Sequence, residues 1–184
     1  MKSLNWHEKP ELHEPTVLVG FSGWSDAADA ASGAVGYLLE QATQITPIAS
    51  ITSEDFFDFS QTRPEIHISS GVNQGIAWPA IRLNLVRLPD WNGDLVVVDG
   101  PEPEFRWPTL TDALVDAFHE IDATSIVLFG SFVGRIAHTL PVPIMAVASD
   151  EGLLRENQLL TTDYEGPTGI VGALNAACSS AGFS

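Results

Sequence analysis

The chain has 184 residues, of which 45% are hydrophobic and 17% are charged, and its formal net charge at pH 7 is −16. These values indicate a globular chain of one domain's size with a buried core, rather than a disordered segment. The 24 acidic residues, against eight basic ones, exclude nucleic acid and anionic membrane surfaces as partners, because binding to either needs a basic patch.

The first half of the chain predicts an extended arm followed by strands and one helix. Residues 1–15 contain two prolines and no apolar run, and they form the arm. The β-branched run 16–21 predicts a buried strand, and residues 26–40 carry an apolar stripe at helical spacing. Further strands are predicted at 45–52, 65–70 and 81–88, with a loop at 54–64 and a turn region at 71–79.

The second half continues the alternation of buried strands with helices. Strands are predicted at 95–100, 124–130 and 143–149, and helices at 109–121, 150–157 and 169–182. This order predicts one α/β domain over residues 1–184, in three layers, with a mostly parallel sheet. The hairpin at 81–99 adds antiparallel character. The segment 1–15 lacks the apolar core of a signal peptide and no apolar run reaches 18 residues, so we expect no membrane span and a cytoplasmic location.

Two residue counts limit the chemistry. The only lysines are Lys2 and Lys9, so a Walker-type ATP site and Schiff-base catalysis lack the lysine they need in the body of the chain. Cys178 is the single cysteine, which excludes an intrachain disulfide and a cysteine-based zinc site, and its apolar surroundings favour a buried thiol. We therefore expect no cofactor and no metal.

The segment after the first strand, GFSGWSDAADAAS, has the order strand, glycine turn, helix that often holds phosphate. Trp24 occupies the place where a nucleophile elbow needs a glycine, so Ser22 is a poor nucleophile. Asp26 and Asp29 lie where carboxylates cap a helix and repel an anion. The turn at Gly23 is therefore interpreted as a capped connection between a strand and a helix. Binding of a cationic or neutral polar ligand there, or packing of a partner on Trp24, is the alternative interpretation.

Two further segments follow predicted strands, where open α/β sheets bind ligands. Segment 99–108 brings Asp99, Glu102, Glu104 and Arg106, either as a carboxylate pair with a cation or as solvated side chains. Segment 130–141 brings Ser131, Arg135 and His138. With Asp99, Ser131 and His138 suggest a Ser–His–Asp triad, although nothing in their spacing requires one.

Two weaker patterns complete the candidate sites. Segment 164–172 has glycines at every third position, which favours close helix packing, and Glu165 and Thr168 are candidate caps for the helix that follows. The N-terminal arm contains His7, His13 and several glutamates, which are possible metal ligands. A flexible arm with these residues spaced by chance is a simpler interpretation than a metal site. The candidate ligand-binding or partner-binding residues are Gly23, Trp24, Asp26, Asp99, Glu102, Arg135, His138, Glu165 and Gly166; no residue is assigned as catalytic.

Five segments in this order resemble the second proteasome-assembly-chaperone family, in its actinobacterial form. They are GWSDAADAAS (23–32), FDFSQTRPEI (57–66), VDGPEPEFRW (98–107), HTLPVPI (138–144) and YEGPTGIVG (164–172). The resemblance implies a phosphorylase-like or hydrolase-like α/β fold and self-association, with a trimer among the assemblies it suggests. Members of the family usually continue with another strand and helices, so we expect this chain to be shorter than its relatives.

The resemblance also implies a function. Eukaryotic relatives assist assembly of the proteasome α ring, so proteasome subunits or another protein are the expected partners. Bacterial members are often labelled as ligases of the ATP-grasp superfamily, but the lack of lysine after Lys9 disfavours that activity. We expect a non-enzymatic, self-associating chaperone or scaffold. The alternative is a small-molecule-binding protein or enzyme that uses the strand-end loops around Gly23, Asp99, Arg135, His138 and Glu165.

Overall fold

The computed structural model describes residues 4–52, 54–157 and 159–183. Its strands are β1 (Asn5–Trp6), β2 (Thr16–Ser22), β3 (Gln44–Ile51), β4 (Glu65–Ser69), β5 (Val72–Ala77), β6 (Ile81–Arg87), β7 (Leu95–Pro101) and β8 (Ser125–Phe129). Its helices are α1 (Ala30–Glu40), α2 (Trp107–Glu120), α3 (Glu151–Glu156) and α4 (Ile170–Ser180), and a single 3-10 turn, Ala27–Asp29, precedes α1.

Six strands form one mixed sheet in the order β1-β3-β6-β7-β2-β8. Strand β2 pairs in parallel with both β7 and β8, whereas β6 is antiparallel to both of its neighbours, β3 and β7. Four strands therefore run in one direction, while β1 and β6 run the other way. The α/β class and the antiparallel contribution of the 81–99 hairpin are confirmed.

The two faces of the sheet are covered by different helices. Helix α1 packs on one face against a small cluster that includes Leu18, Val35 and Val97. Helices α2 and α4 pack on the other face and build the larger core, which holds Phe118 and Cys178. Burial raises the pKa of the Cys178 thiol to about 11, as expected for a structural cysteine without a charged partner. The three layers follow from this arrangement.

Two predicted elements are wrong. The turn region 71–79 contains strand β5, which pairs antiparallel with β4 and includes a bulge where Gly75 adopts a positive φ. The predicted strand 143–149 is absent, and only an isolated bridge joins Met145 to Leu160. A strand needs a neighbour to accept its backbone hydrogen bonds, and no described strand lies alongside this segment to do so.

The N-terminal arm lies along the sheet from residue 4 onward, and residues 1–3 of the predicted arm lie outside the described residues. Its short strand β1 pairs with β3, and the backbone N–H of His13 donates to the carboxylate of Asp94 at 2.8 Å. The arm therefore spans several strands rather than extending into solvent. None of the described helices is long and apolar enough to cross a membrane.

Candidate functional site

The carboxyl ends of β2, β7 and β8 meet at one edge of the sheet, because these three neighbouring strands are parallel. Ser22 at the end of β2 lies opposite Pro101 at the end of β7. We call the residues that follow these strands, together with the start of α4, the strand-end cluster. It comprises Gly23–Asp26, Glu102, Ser131 and Gly169–Ile170.

Glu102 is the centre of the strand-end cluster. Its Oε2 accepts a 2.7 Å hydrogen bond from the backbone N–H of Trp24, and its Oε1 accepts another of 2.7 Å from the backbone N–H of Ile170. The first bond holds the turn after β2, and the second caps the N-terminus of α4. A carboxylate is favourable at a helix N-terminus because it meets free N–H groups and the positive end of the helix dipole.

Two glycines let the backbone come this close to the Glu102 carboxylate. A Cβ on Gly23, whose φ is +132°, would lie 2.8 Å from the Cβ of Glu102. A Cβ on Gly169 would lie 2.4 Å from the Ser25 hydroxyl and 2.8 Å from Glu102 Oε1. Side chains larger than hydrogen would therefore separate the turn, the carboxylate and α4.

Asp26 caps helix α1 from inside the protein. Its side chain is buried, and Oδ1 accepts hydrogen bonds from the backbone N–H groups of Ala31 at 2.7 Å and Ser32 at 3.0 Å. The Ser32 hydroxyl donates to Oδ2 at 2.5 Å. Capping by Asp26 is therefore present, whereas Asp29 is exposed and its side chain makes no cap bond. The expectation that both aspartates cap the helix is wrong for Asp29, which lies in the left-handed region.

The loop after β8 joins the cluster through backbone bonds. The N–H of Ser131 donates to the carbonyl of Ser25 at 2.8 Å, and the Ser131 hydroxyl donates to the carbonyl of Ala27 at 3.0 Å. Among the described residues, no hydrogen bond links Ser131 to His138 or to Asp99. The geometry of a Ser–His–Asp triad is therefore not formed by these three residues.

The remaining strand-end candidates lie on exposed loops. Arg135 and His138 follow Ser131, and Glu165 and Gly166 precede α4. Within the described ranges, none of their side chains makes a hydrogen bond or ion pair with the cluster. Glu165 and Thr168 do not cap α4, because Glu102 provides the carboxylate and Gly169 is the N-cap residue. Whether any of these residues bind a ligand or a partner stays a prediction.

Asp99 lies away from the cluster, on the face of the sheet that α1 covers only in part. Its Oδ1 accepts a 3.0 Å hydrogen bond from the side-chain amide of Asn84, and its Oδ2 lies 3.8 Å from the Arg82 guanidinium. Burial raises the pKa of Asp99 above its ordinary value, although Arg82 and Asn84 act in the opposite direction. The sequence signal for these surroundings was the pair of polar residues Arg82 and Asn84, which alternate with apolar residues along β6.

The structure also places two features that sequence reasoning did not link to a site. One is the exposed β4–β5 hairpin, and the other is a groove beside Arg82 and Asn84. In the part of the chain that the structure describes, no group of three or more His, Cys, Asp or Glu side chains is arranged to hold a metal ion. His7 of the N-terminal arm instead bonds the hydroxyl of Ser50 at 2.9 Å.

Comparison with known proteins agrees with the resemblance in the sequence. The PAC2 family model matches residues 20–184. A PAC2 family protein from Streptomyces avermitilis is 41% identical, with a TM-score of 0.83, and a Mycobacterium tuberculosis protein described as a proteasome-assembly chaperone homologue is 37% identical, also with a TM-score of 0.83. In both cases the match covers 91% of this chain and 71% of the other.

A more distant structure shares the fold. An archaeal homologue of proteasome-assembly chaperone from Pyrococcus furiosus has a TM-score of 0.66 at 15% identity, over 98% of this chain and 72% of the other. No curated protein matches the sequence significantly. The family model spans most of the chain and two solved structures exceed 35% identity over 91% of it, so the chain belongs to the PAC2 family.

Proposed function

We propose that this protein is a non-enzymatic, self-associating chaperone or scaffold that assists assembly of another protein, with proteasome subunits as the first candidates. Two relatives with the same fold, one bacterial and one archaeal, are described as homologues of proteasome-assembly chaperone. The observation that carries the proposal is the exposed apolar face of the β4–β5 hairpin. We keep the cytoplasmic location expected from the sequence, which cell fractionation tests.

The β4–β5 hairpin, residues 65–77, is exposed along its whole length. Ile66 pairs directly with Ile76 across the two strands, and Ile68 lies on the same face two residues along β4. All three side chains are at least half exposed. An isolated two-stranded hairpin is marginally stable in water, and a contiguous apolar patch marks an interaction surface. We therefore expect another protein surface to bury the isoleucines on this face of the hairpin.

A second copy of this chain suits the hairpin for an electrostatic reason. The chain carries 24 acidic residues, but only Glu65 lies within residues 65–77. Two copies that meet at this hairpin bring few like charges together, whereas copies that meet at surfaces rich in acidic residues repel each other. Backbone hydrogen bonding between hairpin edges would add to the burial of the isoleucines. We assign the hairpin to self-association, with a trimer as one assembly to be tested.

The segment after β8 offers a different apolar surface for an assembly partner. Residues 132–147 expose several large apolar side chains: Phe132, Val133, Leu140, Val142, Ile144 and Val147. The net charge of −16 attracts a partner with a basic surface toward the chain, while residues 132–147, which contain Arg135 and no acidic residue, offer that partner an apolar contact. This surface is separate from the hairpin in sequence, so partner binding and self-association are open to separate substitutions.

Light scattering on the purified chain tests self-association. We expect a mass above that of one chain, which the double variant Ile66→Glu/Ile76→Glu lowers to one chain. Tyr37→Glu, an equally exposed apolar position on α1, is the matched control and leaves the mass unchanged. A monomeric wild-type chain, or an assembly that withstands the hairpin variant, contradicts the assignment.

Partner capture tests the chaperone role. Purified proteasome α subunits of the same organism are mixed with the wild-type chain, with Val133→Glu and with Tyr37→Glu. We expect the wild type and Tyr37→Glu to bind, and Val133→Glu to bind more weakly while keeping its own mass. Binding by none of the three excludes these subunits as partners.

The second candidate function is binding of a small molecule, the alternative that the sequence left open. The polar surroundings of Asp99 favour it, because a partly buried carboxylate beside a cation and an amide resembles a ligand site more than a solvated surface. Arg135, His138 and Glu165 are the other candidates for this function. A thermal-shift screen in which no metabolite raises the melting temperature counts against it.

A further inference from the structure

A groove of about 910 Å³ opens on the face of the sheet that carries α1. Helix α1 packs there against β2 and β7, near Leu18 and Val97, and leaves the adjoining part of β3 and β6 without a helix. Alternation along β6 places Arg82 and Asn84 on this face, as it does Asp99 on β7. The groove therefore has a floor of sheet side chains and is of the size that small-molecule sites have.

The floor of the groove is polar although it is mostly buried. Asn84 is 6% exposed and Ser50 is 8% exposed. Burying such groups costs free energy unless they find hydrogen-bond partners. Ser50 bonds His7, and the amide nitrogen of Asn84 bonds Asp99.

Some hydrogen-bonding capacity in the floor is left over. The carbonyl oxygen of Asn84 accepts no hydrogen bond from the described residues. Every described side-chain oxygen or nitrogen that is sealed from solvent has a hydrogen-bond partner, so an oxygen without a partner is in contact with solvent. That oxygen is thus reachable from the groove. Asp99 Oδ2 stays 3.8 Å from Arg82, beyond hydrogen-bond distance, and the Arg82 side chain is about half exposed. The floor presents donors and acceptors side by side.

The wall of the groove is apolar and aromatic. The rings of Phe59 and Trp78 lie 5.0 Å apart with an angle of 55° between them. Trp78 is 52% exposed, so much of its indole surface is uncovered. Pro47 and Ala80 add apolar surface to the lining. A ligand that fits this groove needs an apolar face for the aromatic wall and polar groups for the floor.

We propose that the groove binds a neutral compound that carries vicinal hydroxyl groups on a ring. Each hydroxyl both donates and accepts, so a pair of them matches the acceptor Asn84 together with the donor Arg82, both of which line the groove. The C–H face of the ring packs on Trp78. Arg82 offsets the charge of Asp99, while Glu54 in the lining and the net charge of −16 disfavour an anion. A pyranose sugar and the ribose of a nucleoside share this chemistry.

Calorimetric titration of the full chain with glucose, ribose, adenosine and glucose 6-phosphate tests the proposal. We expect at least one of the three neutral compounds to bind with a Kd below about 10 mM and glucose 6-phosphate to bind more weakly than glucose. Binding by glucose or ribose assigns a free sugar, and binding by adenosine alone assigns a nucleoside. No binding by any neutral compound, or tighter binding of the phosphate ester, overturns the proposal.

Variants locate the site. Trp78→Ala and Arg82→Gln, which change two residues that line the groove, are each expected to weaken binding of the compound by roughly tenfold. Trp91→Ala, which removes another exposed tryptophan that does not line the groove, leaves the affinity unchanged. Circular dichroism establishes that each variant is folded. Unchanged affinity in folded Trp78→Ala and Arg82→Gln places the ligand elsewhere and overturns the proposal, whatever the first titration shows.

Discussion

The strand-end cluster and the β4–β5 hairpin use their residues in opposite ways. In the cluster, both oxygens of Glu102 and both oxygens of Asp26 accept hydrogen bonds from nearby backbone or hydroxyl groups, and glycines allow the close approach. In the hairpin, Ile66 and Ile76 face solvent. Asp26 and Glu102, both candidate ligand-binding residues in the sequence, therefore stabilise the fold through these bonds. The surfaces that we propose for binding lie elsewhere, on the hairpin, on residues 132–147 and in the groove.

Among variants of the cluster, the arm and the hairpin, the largest expected effect on stability is at the tightest point of the cluster. Gly23→Ala places a Cβ 2.8 Å from Glu102 at a φ of +132°, so we expect a loss of about 3 kcal/mol in the free energy of unfolding. Gly33→Ala on α1 meets nothing within 4 Å and is expected to add about 1 kcal/mol, because alanine favours the helix. Urea denaturation measures both. If Gly23→Ala is as stable as the wild type, the close approach of the turn to Glu102 does not require a glycine at position 23.

The next effect tests the carboxylate itself. Glu102→Ala leaves the N–H groups of Trp24 and Ile170 without their protein acceptor, at a cost of about 2 kcal/mol. Glu8→Ala, at an exposed glutamate of the arm, is the matched control and changes stability by less than about 0.5 kcal/mol. If the two variants unfold at the same urea concentration, the Glu102 carboxylate does not stabilise the fold, which contradicts the structural role assigned to the strand-end cluster.

A smaller effect, dependent on pH, is expected where the arm meets the sheet. Burial by itself raises the pKa of Asp94, but the backbone N–H of His13 and the Arg87 guanidinium outweigh it and hold the pKa below its ordinary value of 3.8. A lowered carboxyl pKa stabilises the fold above that value, and the contribution is lost as the pH falls through the folded-state pKa. Asp94→Asn should therefore cost roughly 1–2 kcal/mol near pH 7.

Unfolding of Asp94→Asn and the wild type is compared at pH 7 and again below pH 3.8, with Asp90→Asn as the control at a neighbouring exposed aspartate. The difference between Asp94→Asn and the wild type should shrink in acid, while Asp90→Asn follows the wild type throughout. If the difference in stability between Asp94→Asn and the wild type does not change with pH, the charge on Asp94 does not stabilise the contact between the arm and the sheet.

The smallest effect on stability is expected in the hairpin. Ile68 is exposed, so Ile68→Glu should change the stability of the dilute, unassociated chain by less than about 0.5 kcal/mol. Ile48→Glu, at a fully buried isoleucine of β3, provides the opposite extreme and should not fold. Thermal unfolding at low protein concentration measures both. A loss above about 2 kcal/mol for Ile68→Glu would mean that the hairpin packs within its own chain.

Local patterns in the sequence predict the parts of this structure that depend on local contacts. Strand β2, helix α2 and the cap from Asp26 all follow from residues within a few positions of each other. Strand β5 was not predicted because Gly75 and its polar neighbours are typical of a turn, whereas in the structure this glycine lies at a β-bulge. The expected strand at 143–149 failed because strand formation depends on a neighbour that the segment itself does not specify.

The sites were less predictable than the fold because they join distant residues. Glu102 and Ile170 are 68 positions apart, and no local rule indicates that a residue after β7 caps α4. The sequence placed Gly23 and Glu102 in loops after predicted strands, but it did not indicate that the Glu102 carboxylate accepts hydrogen bonds from Trp24 and Ile170. The groove likewise combines the arm, β3 and β6 with the residues beside the hairpin.

Hydrogen–deuterium exchange in the hairpin amides at two protein concentrations tests self-association most directly. In a single chain the amides of residues 65–77 lie in an exposed two-stranded ribbon and should exchange quickly. If the hairpin joins copies of the chain, their exchange slows as the concentration rises, and Ile66→Glu/Ile76→Glu abolishes the slowing. Exchange in residues 65–77 that is equally fast at both concentrations would contradict self-association through the hairpin.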